Sequence, residues 1–328
     1  MTGHAVPAPD ACSVGFDRAG LSAYGTATRA TFFVAVEQPG PWGRDAATES
    51  HLPAEVGRTL SEACSSRGGR LSLLRRPGRH PDDPHEPGHT TYLAWSGDSP
   101  WLLATRVTDP RALLAVDLDA LARGDLDGAR ASLPGLEPSD PVLLVCTNGR
   151  RDVCCAVRGR PVALDAAAVS PGRVWEASHT GGHRFAPTGV LLPHGATLAR
   201  LDTDLSTEVL AAADRGELPQ RVLGPQHDRG RSPLDGAEQA AESHVRLLEG
   251  ETSLTALSAA ARDEPGAAAA AGHAGAGGAL EATTVVVRHR DGRQWLVVCE
   301  RRAGTTELPE SCGKAAVPAA EWSTRLRD

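Results

Sequence analysis

Two short stretches concentrate the residues that could do chemistry. Cys146-Thr147-Asn148-Gly149-Arg150-Arg151-Asp152-Val153-Cys154-Cys155 sets Cys146 and Cys155 in a Cys-x8-Cys spacing, and Ser178-His179-Thr180-Gly181-Gly182-His183 sets His179 and His183 in a His-x3-His spacing. Two thiolates and two imidazoles make a four-donor set for a thiophilic metal such as zinc or copper, or for an iron–sulfur cluster; calcium and magnesium prefer oxygen. Cys154 is adjacent to Cys155, and neighbouring side chains point in different directions, so the two are not interchangeable ligands. One of the two is then a ligand and the other a packed or solvent-facing thiol.

These donors need elements to aim them. Val142-Leu143-Leu144-Val145 is a continuous apolar run, read as a buried strand that ends on Cys146. Open α/β sheets place ligands at the carboxyl ends of their strands. Asp152 to Val169 reads as a helix with a break near Gly159-Arg160-Pro161, which brings Cys155 back towards Cys146. Arg173 to Ala177 reads as the next strand and delivers His179. The glycine pair after it disfavours a helix and lets the backbone curl so that both rings aim at one place. Gly189 to Leu192 and Thr197 to Leu201 are further strands, and Asp204 to Ala213 a helix.

The first half reads in the same order. Thr31 to Val36 is a strand, Leu52 to Cys64 a helix, Leu71 to Leu74, Thr91 to Trp95 and Trp101 to Val107 strands, and Pro110 to Leu121 a helix capped by Asp109. Both halves thus read β-α-β-β-β-α, an α/β fold of thioredoxin-like order. A faint echo accompanies it: Trp42-Gly43-Arg44-Asp45 matches Gly149-Arg150-Arg151-Asp152, and His85 and His89 match the spacing of His179 and His183. No cysteine stands where Cys146 would fall, so a site in the first half would be degenerate.

The expected organisation is an N-terminal α/β domain over 1–135, the ligand-bearing domain over 136–250, an Ala/Gly-rich linker over 251–281 and a C-terminal hairpin and tail over 282–328. The linker reading rests on the stretch around Ala267 to Ala271; the hairpin reading rests on Thr283 to Val287 and Gln294 to Val298 flanking Asp291-Gly292. The tail after Pro318 reads as frayed.

Composition narrows the classes. The 328 residues carry a net charge of -7 with a pI near 6.0, which argues against nucleic acid as the main partner. No apolar run approaches the roughly 20 residues of a spanning helix, and Met1 to Pro9 lack a signal-peptide pattern. Seven cysteines, without the spacing of a disulfide framework, fit a reducing cytoplasm. No Gly-x-Gly-x-x-Gly follows a strand, so there is no nucleotide signature.

The two motifs, with Trp175-Glu176-Ala177 leading into the second and Arg184-Phe185-Ala186 following it, resemble the sucrase/ferredoxin-like family of thioredoxin-like ferredoxins. Glu37-Gln38-Pro39-Gly40-Pro41-Trp42-Gly43 and Gln226-His227-Asp228-Arg229-Gly230-Arg231-Ser232 resemble its bacterial members, and the resemblance spans roughly residues 28–250. It implies a [2Fe-2S] cluster on Cys146, Cys155, His179 and His183, acting in one-electron transfer or redox sensing with an unidentified redox partner protein. Asn148 replaces a commoner His at a position that is not a ligand. Arg150, Arg151 and Arg184 would add positive potential. Cys299 and Cys312 receive no role. Two other readings stay open: a structural Cys2His2 zinc module, and thiol redox chemistry, which would want a Cys-x-x-Cys that is not present. The word sucrase implies no hydrolysis here, because no facing carboxyl pair stands out; Asp152 reads as a helix cap or a partner to a ligand. An electron-transfer role is favoured over an enzymatic one.

Overall fold

The computed structural model describes residues 8–78, 88–262 and 279–327. A short helix, α1 (Cys12–Arg18), precedes the first apolar run, which forms β1 (Phe32–Glu37), buried along its whole length. After α2 (Ala46–Glu49), helix α3 (Ala54–Ser65) turns Val56, Leu60 and Cys64, one helical turn apart, onto the sheet. Strand β2 (Gly69–Arg75) returns parallel to β1, and β3 (His89–Trp95) and β4 (Trp101–Val107) follow antiparallel.

The helix expected over Pro110 to Leu121 is instead a 3-10 turn, Pro110–Ala115, followed by α4 (Leu118–Ala122) and α5 (Leu126–Ala131). Asp109, Asp117 and Asp125 each accept a backbone N–H and start a new element, so the Asp117 cap divides the expected helix in two and Asp125 opens α5 beyond it. The two-residue β5 (Glu137–Pro138) then pairs with β4.

The second half opens with β6 (Val142–Cys146), every residue buried, then α6 (Val153–Val169) and β7 (Val174–Ala177), parallel to β6. Strands β8 (Gly189–Leu192) and β9 (Ala196–Leu198) run antiparallel, followed by α7 (Thr203–Ala213), β10 (Asp228–Arg231) and α8 (Gly236–Glu249). Pro161 is accommodated inside α6, so the expected break does not occur.

The duplication suggested by the sequence is visible in the pairing. The orders β2-β1-β3-β4 and β7-β6-β8-β9 are the same, and β2 meets β7 antiparallel, joining both units into one ten-stranded mixed sheet. A core on one face spans the join, with Phe33, Leu74 and Tyr92 packed against Leu144, Trp175 and Leu192. The echoed motifs are equivalent caps: Asp45 starts α2 and Asp152 starts α6. Where β6 ends in Cys146, β1 ends in Glu37. His89 hydrogen-bonds through Nδ1 to the Glu37 carbonyl at 2.7 Å; His85 lies outside the described residues.

A separate four-stranded antiparallel sheet contains β11 (Leu257–Ala261), β12 (Ala279–His289), β13 (Gln294–Pro309) and β14 (Ala316–Leu326). The expected hairpin about Asp291-Gly292 is β12–β13. Two expectations need correction. Leu257–Ala261, inside the expected linker, is a strand because pairing with β12 overrides the weak strand propensity of its alanines. The tail after Pro318 belongs to β14, paired with β13 and holding Trp322 buried beneath α8. The alanine run over 267–271 lies outside the described residues.

Candidate metal centre

Cys146 ends β6, where its register partner on β7 is Ala177. Its backbone N–H is held by the Thr188 carbonyl. From here the chain loops to Asp152, which caps α6 by accepting the Cys154 N–H at 2.9 Å, and Cys155 follows in the first turn. Helix and strand end meet closely at Gly159: a Cβ there would stand 2.3 Å from the Cys146 carbonyl oxygen. Only glycine permits that approach, which brings Cys155 onto Cys146.

The loop after β7 carries the two imidazoles. Ser178 is locked to Leu73 of β2 by hydrogen bonds in both directions. Arg70 Nη2 donates to the His179 carbonyl at 3.0 Å, Thr28 to that of Thr180, and Arg229 Nη1 to that of Gly181 at 3.0 Å. Gly182 adopts φ 69°, and a Cβ there would collide with the Arg229 guanidinium. His183 then opens a 3-10 turn, His183–Phe185. Almost every carbonyl of the loop has a donor, so the ring positions are fixed by the scaffold.

The four expected donors share this space. Cys146 and Cys155 are both buried; the Cys155 thiol, then His179, hold Cys146 well below the usual thiol range against its burial. Cys155 is pushed up by Cys146 and by burial. The His179 and His183 rings lie 6.3 Å apart between centroids, tilted by 30°. Burial moves the His183 pKa down, towards the neutral ring, against the pull of Asp152, whose Oδ2 lies 3.8 Å from His183 Nε2. In both rings Nδ1 is buried without a hydrogen-bond partner among the described residues. Buried polar atoms are seldom left so. Imidazole nitrogens and thiols are the donor types that thiophilic metals take.

Positive charge surrounds the set. Arg229 is fully buried, and burial brings its pKa down only to about 9, so it stays charged at neutral pH. It, Arg70 and Arg184 approach the site from three elements, with Arg229 and Arg70 both feeling the Cys146 charge. Of the arginines expected from the sequence, Arg150 and Arg151 are exposed and Arg184 is half-buried, over the Phe185 ring. Arg229 and Arg70 carried no local signal of their own; Arg229 stood only inside a segment that resembled relatives.

Beside the loop a cavity of about 830 Å³ is lined by Trp42 and Arg75 of the first unit and by Thr147, Asn148, Arg150 and Glu176 of the second. Glu176 accepts from Arg75 and from Thr147, and Asn148 donates to the Gly43 carbonyl. The echoed segment of the first unit thus touches the loop that follows Cys146.

A second group of donors was not expected. Cys12, Asp152, Cys154 and Cys312 each bring one ligand atom within 4.8 Å of all the others, and this group could hold a metal ion. Cys312 comes from the tip of the β13–β14 hairpin and Cys12 from α1, so no local spacing announced them. Cys299 packs in the core between α8 and the C-terminal sheet, its thiol pushed up to about 12 by burial.

Among the described residues no helix is long and apolar enough to cross a membrane. A family model described as sucrase/ferredoxin-like matches residues 23–223, more than half of the chain. No curated protein and no solved structure matches it.

Proposed function

The chain belongs to the sucrase/ferredoxin-like family, and on that footing we propose that it is a one-electron carrier or redox sensor whose Cys146, Cys155, His179 and His183 hold a [2Fe-2S] cluster. When bound, such a cluster supplies a one-electron couple, at a higher potential than an all-cysteine centre because two neutral imidazoles replace two thiolates. The observation that carries the reading is a pair of half-buried imidazoles, each with a buried, unpartnered Nδ1 among the described residues, close to two buried thiols whose acidities are pushed apart by each other.

The chain's own residues set the conditions. Arg229, Arg70 and Arg184 favour the form with the extra negative charge, and in a buried site their fields are weakly screened. The pinned loop keeps both rings oriented whatever the redox state, so little reorganisation accompanies the change of charge. Asp152 faces His183 and orients the first turn of α6.

A single zinc ion is less well supported. Four donors around one zinc lie within about 3.8 Å of one another. Among the described residues the group of donors compact enough for a single ion is the one containing Cys12 and Cys312.

The test is composition and colour. Anaerobically purified protein should contain about two irons and two acid-labile sulfides per chain, absorb in the visible and bleach on reduction. Colourless protein with one zinc on the same four residues would replace this reading with the structural one.

A further inference from the structure

We propose that Cys12, Cys154 and Cys312 form a second metal site, distinct from the cluster ligands, for a closed-shell thiophilic ion: zinc or copper(I). The three sulfurs form a triangle. Cys12 and Cys154 are 3.6 Å apart, Cys154 and Cys312 3.2 Å, and Cys312 and Cys12 3.5 Å. Three thiolates bound to one ion at about 2.3 Å have sulfurs just under 4 Å apart, so a slight expansion of this triangle would accommodate one.

The sulfurs come from three separate parts of the chain: α1, the first turn of α6, and the turn between β13 and β14. Each position is fixed by the backbone around it. Asp152 Oδ2 accepts the Cys312 N–H at 3.0 Å and the Ser311 hydroxyl at 2.9 Å, clamping the hairpin turn against α6. Both Asp152 oxygens stand 3.9 Å from Cys12 Sγ, near enough to supply a fourth donor to zinc; copper(I) needs only the three sulfurs.

Two further observations point to a ligand. The Ser13 hydroxyl is fully buried against Cys154, where it favours the thiolate that a metal ion binds. A cavity of about 360 Å³, lined by Cys154, Cys312, Asp10 and Val157, opens onto the sulfurs and gives an ion a path to them. Neighbouring apolar side chains, Ala11 and Ala186 among them, would shield the bound ion from water.

The bound ion would tie α1 and the C-terminal hairpin to α6, the helix that also carries Cys155. Soft sulfur donors select zinc and copper(I) over the harder divalent cations, and both ions bind the deprotonated thiols.

The test uses the full chain with its colour intact, freed of loosely held metal by a mild chelator. One sample is titrated with zinc(II) against a chromophoric zinc indicator, another with copper(I) against a chromophoric copper(I) chelator. We expect one equivalent of one of the two ions to bind, and the arm that saturates identifies it. Cys12→Ser and Cys312→Ser should each weaken binding about 100-fold or more, with iron and sulfide content unchanged. Cys312 sits half-exposed in a turn, so its serine variant is the safer of the two to fold.

Wild-type protein that takes up neither ion would overturn the proposal, leaving the three thiols as a hydrogen-bonded packing cluster. Uptake equally strong in Cys312→Ser would overturn it too. Iron and sulfide, measured on the same samples, separate this outcome from the fate of the cluster: colourless protein whose zinc uptake depends on Cys312 would contradict the cluster reading and support this one.

Discussion

Cys154 and Cys155 leave the same helical turn into different surroundings: Cys155 lies beside Cys146, which pushes its thiol up, while Cys154 meets Cys12 and Cys312. Helical geometry makes this unavoidable, since successive side chains are splayed by about 100°. One cap, Asp152, serves both neighbourhoods, with a hydrogen bond to the Cys154 N–H and an oxygen facing His183.

Gly159→Ala tests the helix–strand contact. The added methyl would stand against the Cys146 carbonyl, and neither backbone can yield cheaply. We expect a loss of about 1–3 kcal/mol in unfolding free energy despite alanine's better helix propensity, together with reduced iron retention. Denaturant unfolding and iron analysis of the same preparation check it.

Arg229→Gln removes a buried charge that also ties Gly181 to Thr26. Stability should fall by about 3 kcal/mol, because the carbonyls it served lose their donor. In variant protein that retains its colour, the midpoint potential should shift downwards, because a positive charge that favours the reduced form has gone. Arg150→Gln, at an exposed position, should move neither quantity by much.

The fold carries a pH dependence independent of the site. His194, between β8 and β9, is half-buried, with a buried Nδ1 that is unpartnered among the described residues, and burial, reinforced by Arg231, lowers its pKa from 6.5 to about 4. Between those values the unfolded chain binds the proton and the folded chain does not. The stabilisation is therefore complete above pH 6.5 and lost as pH falls towards 4, on the order of 3 kcal/mol. Unfolding free energies of wild type and His194→Gln, measured across pH 4–7, should show this much less acid sensitivity in the variant.

Legibility in the sequence followed locality. The run Val142 to Val145 announced β6 because a strand buried on both faces needs no alternation, and the Asp152 cap was readable from its place before the helix. The ligand motifs were readable because each is a short segment. Cys12 and Cys312 were not, because only tertiary folding brings a helix near the N-terminus and a C-terminal hairpin turn onto α6. Arg229 was hidden for the same reason. Strands β11 and β14 were missed because their residues become strands only by pairing with β12 and β13.

Nitrogen ligation tests the central claim most directly. Pulsed electron paramagnetic resonance on reduced protein carrying 15N-histidine should reveal two strongly coupled histidine nitrogens. One should vanish in His179→Cys and the other in His183→Cys, with the midpoint potential falling by on the order of 100 mV each time as a neutral ligand becomes anionic. A reduced iron–sulfur signal with no strongly coupled histidine nitrogen, or one unaltered in both variants, would contradict the account.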